Sequence, residues 1–188
     1  MALTERLLQI LQDDPVMARA IADARAFPLP DQWIVSGAIY NTVWNALTGR
    51  PSGYGIKDID LFYYDSDTSW EAEDRVIHAG AAHFSPSPPV EIRNQARVHL
   101  WYQAHFGRPI APLRDCRDSI RNFASQTHAV GLNPTTMEVY APYGLQAIFQ
   151  LRVIPNPVAD NRATHENKAA RAKAMWPEVV IEPWPEHA

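Results

Sequence analysis

Residues 55–65 read GIKDIDLFYYD, and the fold turns on how that stretch is read. Its β-branched and aromatic content marks a strand over residues 57–65. Asp58 and Asp60 stand two places apart within it. Side chains alternate across a strand, so both aspartates point to one face. Ile59 and Leu61 then point to the other, where they would pack on helices. Two carboxylates about 4 Å apart repel by roughly 4 kcal/mol at an effective dielectric of about 20. A shared proton, a basic partner or a divalent cation must offset that repulsion. Mg²⁺ suits one or two carboxylates together with the phosphate oxygens of a substrate. Paired ions can stabilise both the attacking and the leaving oxygen of a displacement at phosphorus. The plain alternative is an acidic pair facing water on a half-exposed strand.

Two neighbouring stretches bear on that choice. Upstream, QWIVSGA (residues 32–38) is an apolar strand ending at Ser36-Gly37, followed by a helix over Ala38–Leu47. Gly37 permits close backbone approach, and the free N–H groups of the helix start can bind an anion. Asn41 sits one helical turn further on, either as a contact for the same anion or as an ordinary polar residue early in a helix. Downstream, VEIRN (residues 90–94) is a third short strand carrying Glu91. If it lies beside the aspartate strand, Glu91 completes a cluster of three carboxylates. Its plain alternative is a solvent-facing glutamate paired with Arg93, which shares its face. Arg93 could instead clamp a triphosphate, since guanidinium suits phosphate oxygens. Asn94, at a strand-to-helix junction, suits an N-cap. Lys57 adjoins the aspartates and by alternation faces away from them.

The rest of the chain supplies the frame. Leu3, Leu7, Ile10 and Leu11 recur at helical spacing. Asp14-Pro15 reads as an N-cap and first helical residue, and Val16, Met17, Ala20, Ile21 and Ala24 continue a second helix. TGRPSGYG (48–55) reads as a flexible connection. Helices are expected over Trp70–Phe84, Gln95–Phe106, Asp115–Phe123, Gly144–Leu151 and Asn161–Met175, the last basic with Lys168 and Arg171. SPSPP (85–89) reads as a stop, NPTT (133–136) as a hairpin turn, and the last dozen residues as an extended tail. Trp33, Trp44 and Trp101 are expected in the core. Strands and helices mix without strict alternation, so the class is α+β. One domain over 1–188 is expected: N-terminal helices to 30, a core over 31–150, then a C-terminal helix and tail.

Composition excludes several functions. Net charge is −4, which argues against broad nucleic-acid binding. Cys116 is the lone cysteine, so no intrachain disulfide can form. No apolar run reaches the roughly 18 residues of a membrane span, and Glu5 and Arg6 interrupt any signal-peptide core. A soluble, cytoplasmic protein without membrane contact is expected. The histidines lack HxxxH spacing, which speaks against zinc. Ser36, Ser85 and Ser119 sit in no nucleophile elbow, and no Walker-type loop is present.

Together, SGA…DID…VEIRN resembles the nucleotidyltransferases of the DNA polymerase β superfamily. GAIYNTVWNALTG, KDIDLFYYD, EIRNQARVHLWY, YAPYGL and NKAARAKAMWP are similar to a bacterial family of nucleotidyltransferase-like proteins, over about Val35 to Pro177. The resemblance implies a small mixed sheet flanked by helices, with Mg²⁺ (or Mn²⁺) and a nucleoside triphosphate (NTP). It implies Asp58, Asp60 and Glu91 as metal ligands and catalytic carboxylates, with Glu91 as the general base. It implies Gly37 as the phosphate-approach glycine, and Ser36, Ala38, Asn41 and Arg93 are the further candidate nucleotide and phosphate contacts around it. Two features depart from the superfamily pattern: Ala38 stands where Ser or Gly is usual, and the gap from Gly37 to Asp58 is long. The expected function is transfer of a nucleoside monophosphate to a hydroxyl acceptor, be it small molecule, protein or RNA. The alternative is a catalytically reduced module on the same fold that binds a nucleotide or a partner.

Overall fold

The computed structural model describes residues 2–84 and 87–186. Ser85 and Pro86 of the expected stop, and the last two residues of the tail, lie outside the described residues. Helices α1 (Leu3–Asp13) and α2 (Pro15–Ala26) pack on each other. The Asp14 carboxylate between them accepts the Met17 N–H at 2.9 Å, as an N-cap should. Leu7, Leu11, Met17 and Ile21 are buried beneath.

Strand β1 (Trp33–Val35) is wholly buried and leads into α3 (Gly37–Thr48). Every residue of α3 from Ala38 to Asn45 is buried, so this is a central helix. Its weak helix formers are satisfied internally: the Thr42 hydroxyl donates to the Ala38 carbonyl at 2.7 Å. Gly49, at φ +68°, ends it in the left-handed region.

Strand β2 (Ile59–Tyr63) alternates buried and half-buried residues, as its sequence requires. Helix α4 (Trp70–His83) carries the chain over to β3 (Val90–Asn94), which pairs parallel with β2. α4 packs on β3 through Gly80, where a Cβ would run into the Ile92 side chain. Glu73 of α4 accepts the Asn94 N–H at 2.9 Å and pairs with Arg97 at 2.9 Å, fixing the far end of β3.

The expected helix from Gln95 divides. A 3₁₀ turn over Gln95–Arg97, capped by Asn94, precedes α5 (Val98–Phe106). α5 buries only Val98, so Trp101, expected in the core, is 44% exposed. Helix α6 (Cys116–Arg121) follows, capped by Asp115. The hairpin of β4 (Gly131–Leu132) and β5 (Val139–Tyr140) forms across NPTT, where the Asn133 side chain accepts the N–H groups of Thr135 and Thr136. The sheet order is β3-β2-β1-β4-β5, mixed, with β1 at its centre and antiparallel to both neighbours.

The expected helix 144–151 shortens to α7 (Gln146–Phe149), because Gly144 and Leu151 both take positive φ. Strand β6 (Arg152–Val153) then pairs parallel with β7 (Val180–Ile181), so the expected extended tail is partly a strand. Helix α8 (Arg162–Met175) links the two. It ends at Trp176, whose buried indole donates to Asn45 at 3.1 Å and meets Trp44 edge-on. The connection 48–55 is tied down rather than flexible. Asn45 donates to the Tyr54 carbonyl, Asn41 and Arg171 donate to the Gly55 carbonyl, and the Tyr54 hydroxyl donates to Met175. Among the described residues no helix is long and apolar enough to cross a membrane.

Candidate functional site

Register brings the acidic residues together. In the β2–β3 pair, Asp60 stands opposite Glu91 and Phe62 opposite Arg93. Asp58 precedes β2 by one residue. The half-buried Asp60 carboxyl is pushed up to about 6, first by burial. Asp58 and Glu91 raise it further, while Lys168 and Arg93 pull it down. Asp60 is therefore a carboxylate held near two others, with a lysine from α8 facing it.

Each acidic group has a cation near it. Lys57 Nζ lies 3.5 Å from Asp58, and Arg93 lies 3.6 Å from Glu91. Alternation predicts that Lys57 faces away, but the regular pattern begins only at Ile59, so Lys57 turns back toward Asp58. Glu91 is half-exposed and paired with Arg93, which matches its plain alternative as well as a place beside Asp60. Among the described residues, no three His, Cys, Asp or Glu side chains close into a metal-ligand cluster. Asp58 and Asp60 still fit Mg²⁺, a hard ion that takes one or two carboxylates plus phosphate oxygens. Repulsion at Asp60 is the kind of strain that a cation would relieve.

The β1–α3 junction is strained. Ser36 sits at φ +56°, ψ −114°, unusual for a residue with a Cβ. Its N–H donates to the Val130 carbonyl at 2.8 Å, and its own carbonyl accepts from Ile39 and Tyr40. That turn leaves the Gly37 and Ala38 N–H groups without partners among the described residues. A Cβ on Gly37 would meet nothing closer than Asn41 Nδ2 at 3.8 Å, so the space before it is open. Ala38 is 1% exposed; its methyl belongs to the core and only its N–H faces the turn. Ser36 Oγ is buried near the Tyr40 phenol, close enough to favour phenolate slightly but without a well-formed hydrogen bond. Burial holds the Tyr40 phenol well above its ordinary value. Asn41 Nδ2 donates to the Gly55 carbonyl at 3.3 Å, while its buried Oδ1 has no partner.

Two clefts flank the aspartates. Gly37, Asn41, Lys57, Asp58, Lys168 and Arg171 line the first. Asp60, Glu91, Arg93 and Lys168 line the second, together with aromatic side chains from β2, α5 and the turn after α6. Lys168 borders both. From the sequence, Lys168 and Arg171 belong to a basic helix that reads as a solvated face or as a contact for an acceptor's phosphate. The signal that would have placed them is the buried His165, Ala169, Ala172 stripe, which turns their flank toward the core. His128 also lines the second cleft, and its sequence context gave no sign of it. It is 1% exposed, stacks on Tyr40 at 4.6 Å, and has no hydrogen-bond partner on either ring nitrogen among the described residues.

Comparison with known proteins fits this geometry. Among solved structures, a protein whose NMR structure is described as revealing a CCA-adding enzyme head domain superposes with a TM-score of 0.75, at 24% identity over 96% of each chain. The Bacillus stearothermophilus CCA-adding enzyme, solved in complex with CTP, matches at a TM-score of 0.51 and 14% identity, over 90% of this chain and 41% of that one. At these identities the likeness establishes the fold alone, that of a CCA-adding enzyme head domain. No curated protein matches. A family model described as Nucleotidyltransferase matches residues 22–181. Because that match runs from α2 through β7 and takes in the strained junction, the acidic strands and α8, the chain belongs to this nucleotidyltransferase family.

Proposed function

We propose that the protein is a Mg²⁺- or Mn²⁺-dependent nucleotidyltransferase that moves a nucleoside monophosphate from an NTP to a hydroxyl acceptor. The observation that carries this reading is the register that sets Asp60 opposite Glu91 on one side and opposite Val35 on the other, next to a helix start with free N–H groups. The Gly37 and Ala38 N–H groups, with Lys168 and Arg171, bind the triphosphate in the first cleft. Asn41 Oδ1 is a polar contact available there, and Ser36 sets the turn that aims the amides. Asp58 and Asp60 hold the divalent cation. When bound, the cation neutralises phosphate charge and makes the α-phosphorus more electrophilic. The acceptor oxygen bonds to the α-phosphorus while the bond to the bridging oxygen breaks, and pyrophosphate leaves. Glu91 takes the hydroxyl proton, and Arg93 positions Glu91.

One set of observations favours a second reading, a nucleotide-binding module with reduced catalysis. Glu91 is tied to Arg93, no three-carboxylate cluster closes among the described residues, and Ala38 offers no hydroxyl. Titration calorimetry with Mn²⁺ and a nonhydrolysable NTP tests the site. The parent should bind, and Asp58→Asn and Asp60→Asn should bind at least tenfold more weakly. Equal binding by both variants would refute the assignment. Incubation with α-labelled NTP and cell extract separates the two readings: label transfer supports the enzyme, whereas binding without transfer supports the module.

A further inference from the structure

Building on the nucleotidyltransferase reading, we infer that the second cleft is the acceptor site and that it takes a small, planar, hydroxylated molecule rather than a polynucleotide. The position follows from how the aspartates divide. Asp58 lines the first cleft, Asp60 lines the second, and Lys168 borders both. The pair therefore stands between two clefts. Displacement at phosphorus needs the entering and leaving oxygens on opposite sides. With triphosphate in the first cleft, the entering hydroxyl comes from the second.

The chemical class follows from the lining. Phe62 and Phe123, edge-to-face at 6.0 Å, form one wall, and Trp101 and Phe106 form another. Trp101 is 44% exposed, a large aromatic left open to solvent on a helix that buries only Val98. Flat aromatic walls favour a flat ligand. The cleft has a cavity volume of about 350 Å³, which suits a small molecule. His128 lines it with both ring nitrogens unpaired. Burial and the charge of Lys168 keep that imidazole neutral, so it can donate one hydrogen bond and accept one. A ligand hydroxyl would satisfy a buried group that otherwise lacks a partner. A polynucleotide fits poorly. The chain carries a net charge of −4, and the cleft's cations Arg93 and Lys168 face Glu91 and Asp60 instead of forming a basic track. In the transfer, the acceptor's hydroxyl oxygen gains the bond to the α-phosphorus, its proton passes to Glu91, and pyrophosphate carries off the electrons of the broken bond.

Fluorescence titration of the full chain with 7-hydroxycoumarin tests the cleft. The probe should bind, and Trp101→Ala should weaken it at least tenfold. The exposed position of Trp101 predicts that this variant keeps the parent's circular dichroism and thermal melt. Saturating Mn²⁺ and nonhydrolysable NTP should leave the probe bound, and a ten-nucleotide RNA should not displace it. Absence of binding, or equal affinity in Trp101→Ala, would overturn the proposal. Displacement by the NTP would assign the cleft to the nucleotide base, and displacement by the RNA would assign it to a polynucleotide; either also overturns it. Calorimetry with the same NTP, run separately, reports on the nucleotidyltransferase reading. Loss of NTP binding with the probe still bound would defeat that reading and leave the cleft's chemistry standing.

Discussion

Asp60 stores electrostatic strain that can be measured. Its carboxyl is raised from 3.8 to about 6 in the folded protein. The folded state therefore holds the Asp60 proton more tightly than the unfolded state. That contribution to stability is fully present below about pH 4 and is lost as pH rises through about 6. A shift of about two pH units corresponds to at most roughly 3 kcal/mol, and the partial exposure of Asp60 lowers this to about 2 kcal/mol. Asp60→Asn removes the ionisation. In EDTA, the variant should exceed the parent by about 2 kcal/mol at pH 7.5 and match it near pH 3.5, measured by urea unfolding across that range. A constant difference at every pH would show that Asp60 is not strained. The Asp58 and Asp60 pair was legible because strand alternation has a period of two and depends only on local sequence; Glu91 was legible only as a candidate, because its place opposite Asp60 depends on the pairing of β3 with β2. Lys168, Arg171 and His128 were not. Lys168 and Arg171 flank a faint local signal, the His165, Ala169, Ala172 stripe, but the element that stripe packs on is far away in sequence, and His128 carries no local sign at all.

Among the elements, the connection 48–55 departs furthest from its sequence. Its glycines, proline and serine suggest a free loop. In the fold, Gly55 takes φ +75°, and its carbonyl accepts from Asn41 at 3.3 Å and Arg171 at 3.1 Å. A Cβ at Gly55 would run into the Trp176 indole, with Cζ2 at 2.8 Å. Composition cannot foresee that a tryptophan from the far end of the chain will press on a loop glycine. Likewise β6 and β7, at two residues each, are too short to show any periodicity. Gly55→Ala should therefore cost about 2–4 kcal/mol, from left-handed backbone strain plus overpacking against a buried ring. Gly49→Ala is the control. Gly49 has φ +68°, but a methyl group there would meet nothing within 4 Å, so its cost should stay near about 1 kcal/mol. Thermal melts of the two variants compare them directly, and equal losses would mean that the Trp176 contact can relax. Because Gly55 anchors both Asn41 and Arg171, NTP binding should weaken in Gly55→Ala and not in Gly49→Ala.

Across the molecule, the first cleft draws on three separate parts of the chain. The β1–α3 turn supplies Gly37, the start of β2 supplies Asp58, and α8 supplies Lys168 and Arg171. Strand β2 and the helices α1 and α2 were visible in the sequence because each carries its own apolar period. The closing of α8 over the first cleft was not, because its buried stripe is narrow and alanine-rich, His165, Ala169 and Ala172. A ligand that touches all three parts binds only when they are assembled, so it should stabilise the whole fold. At a ligand concentration about 100 times its dissociation constant, that stabilisation is about 2.7 kcal/mol. For a chain of 188 residues, each kcal/mol moves the midpoint by roughly 2–4 °C. Mn²⁺ with a nonhydrolysable NTP should therefore raise Tm by about 5–10 °C. EDTA should abolish the shift, and the Asp58→Asn, Asp60→Asn double variant should show none. An equal shift in EDTA, or in the double variant, would mean that the nucleotide binds without these carboxylates, and the assigned metal site would be wrong.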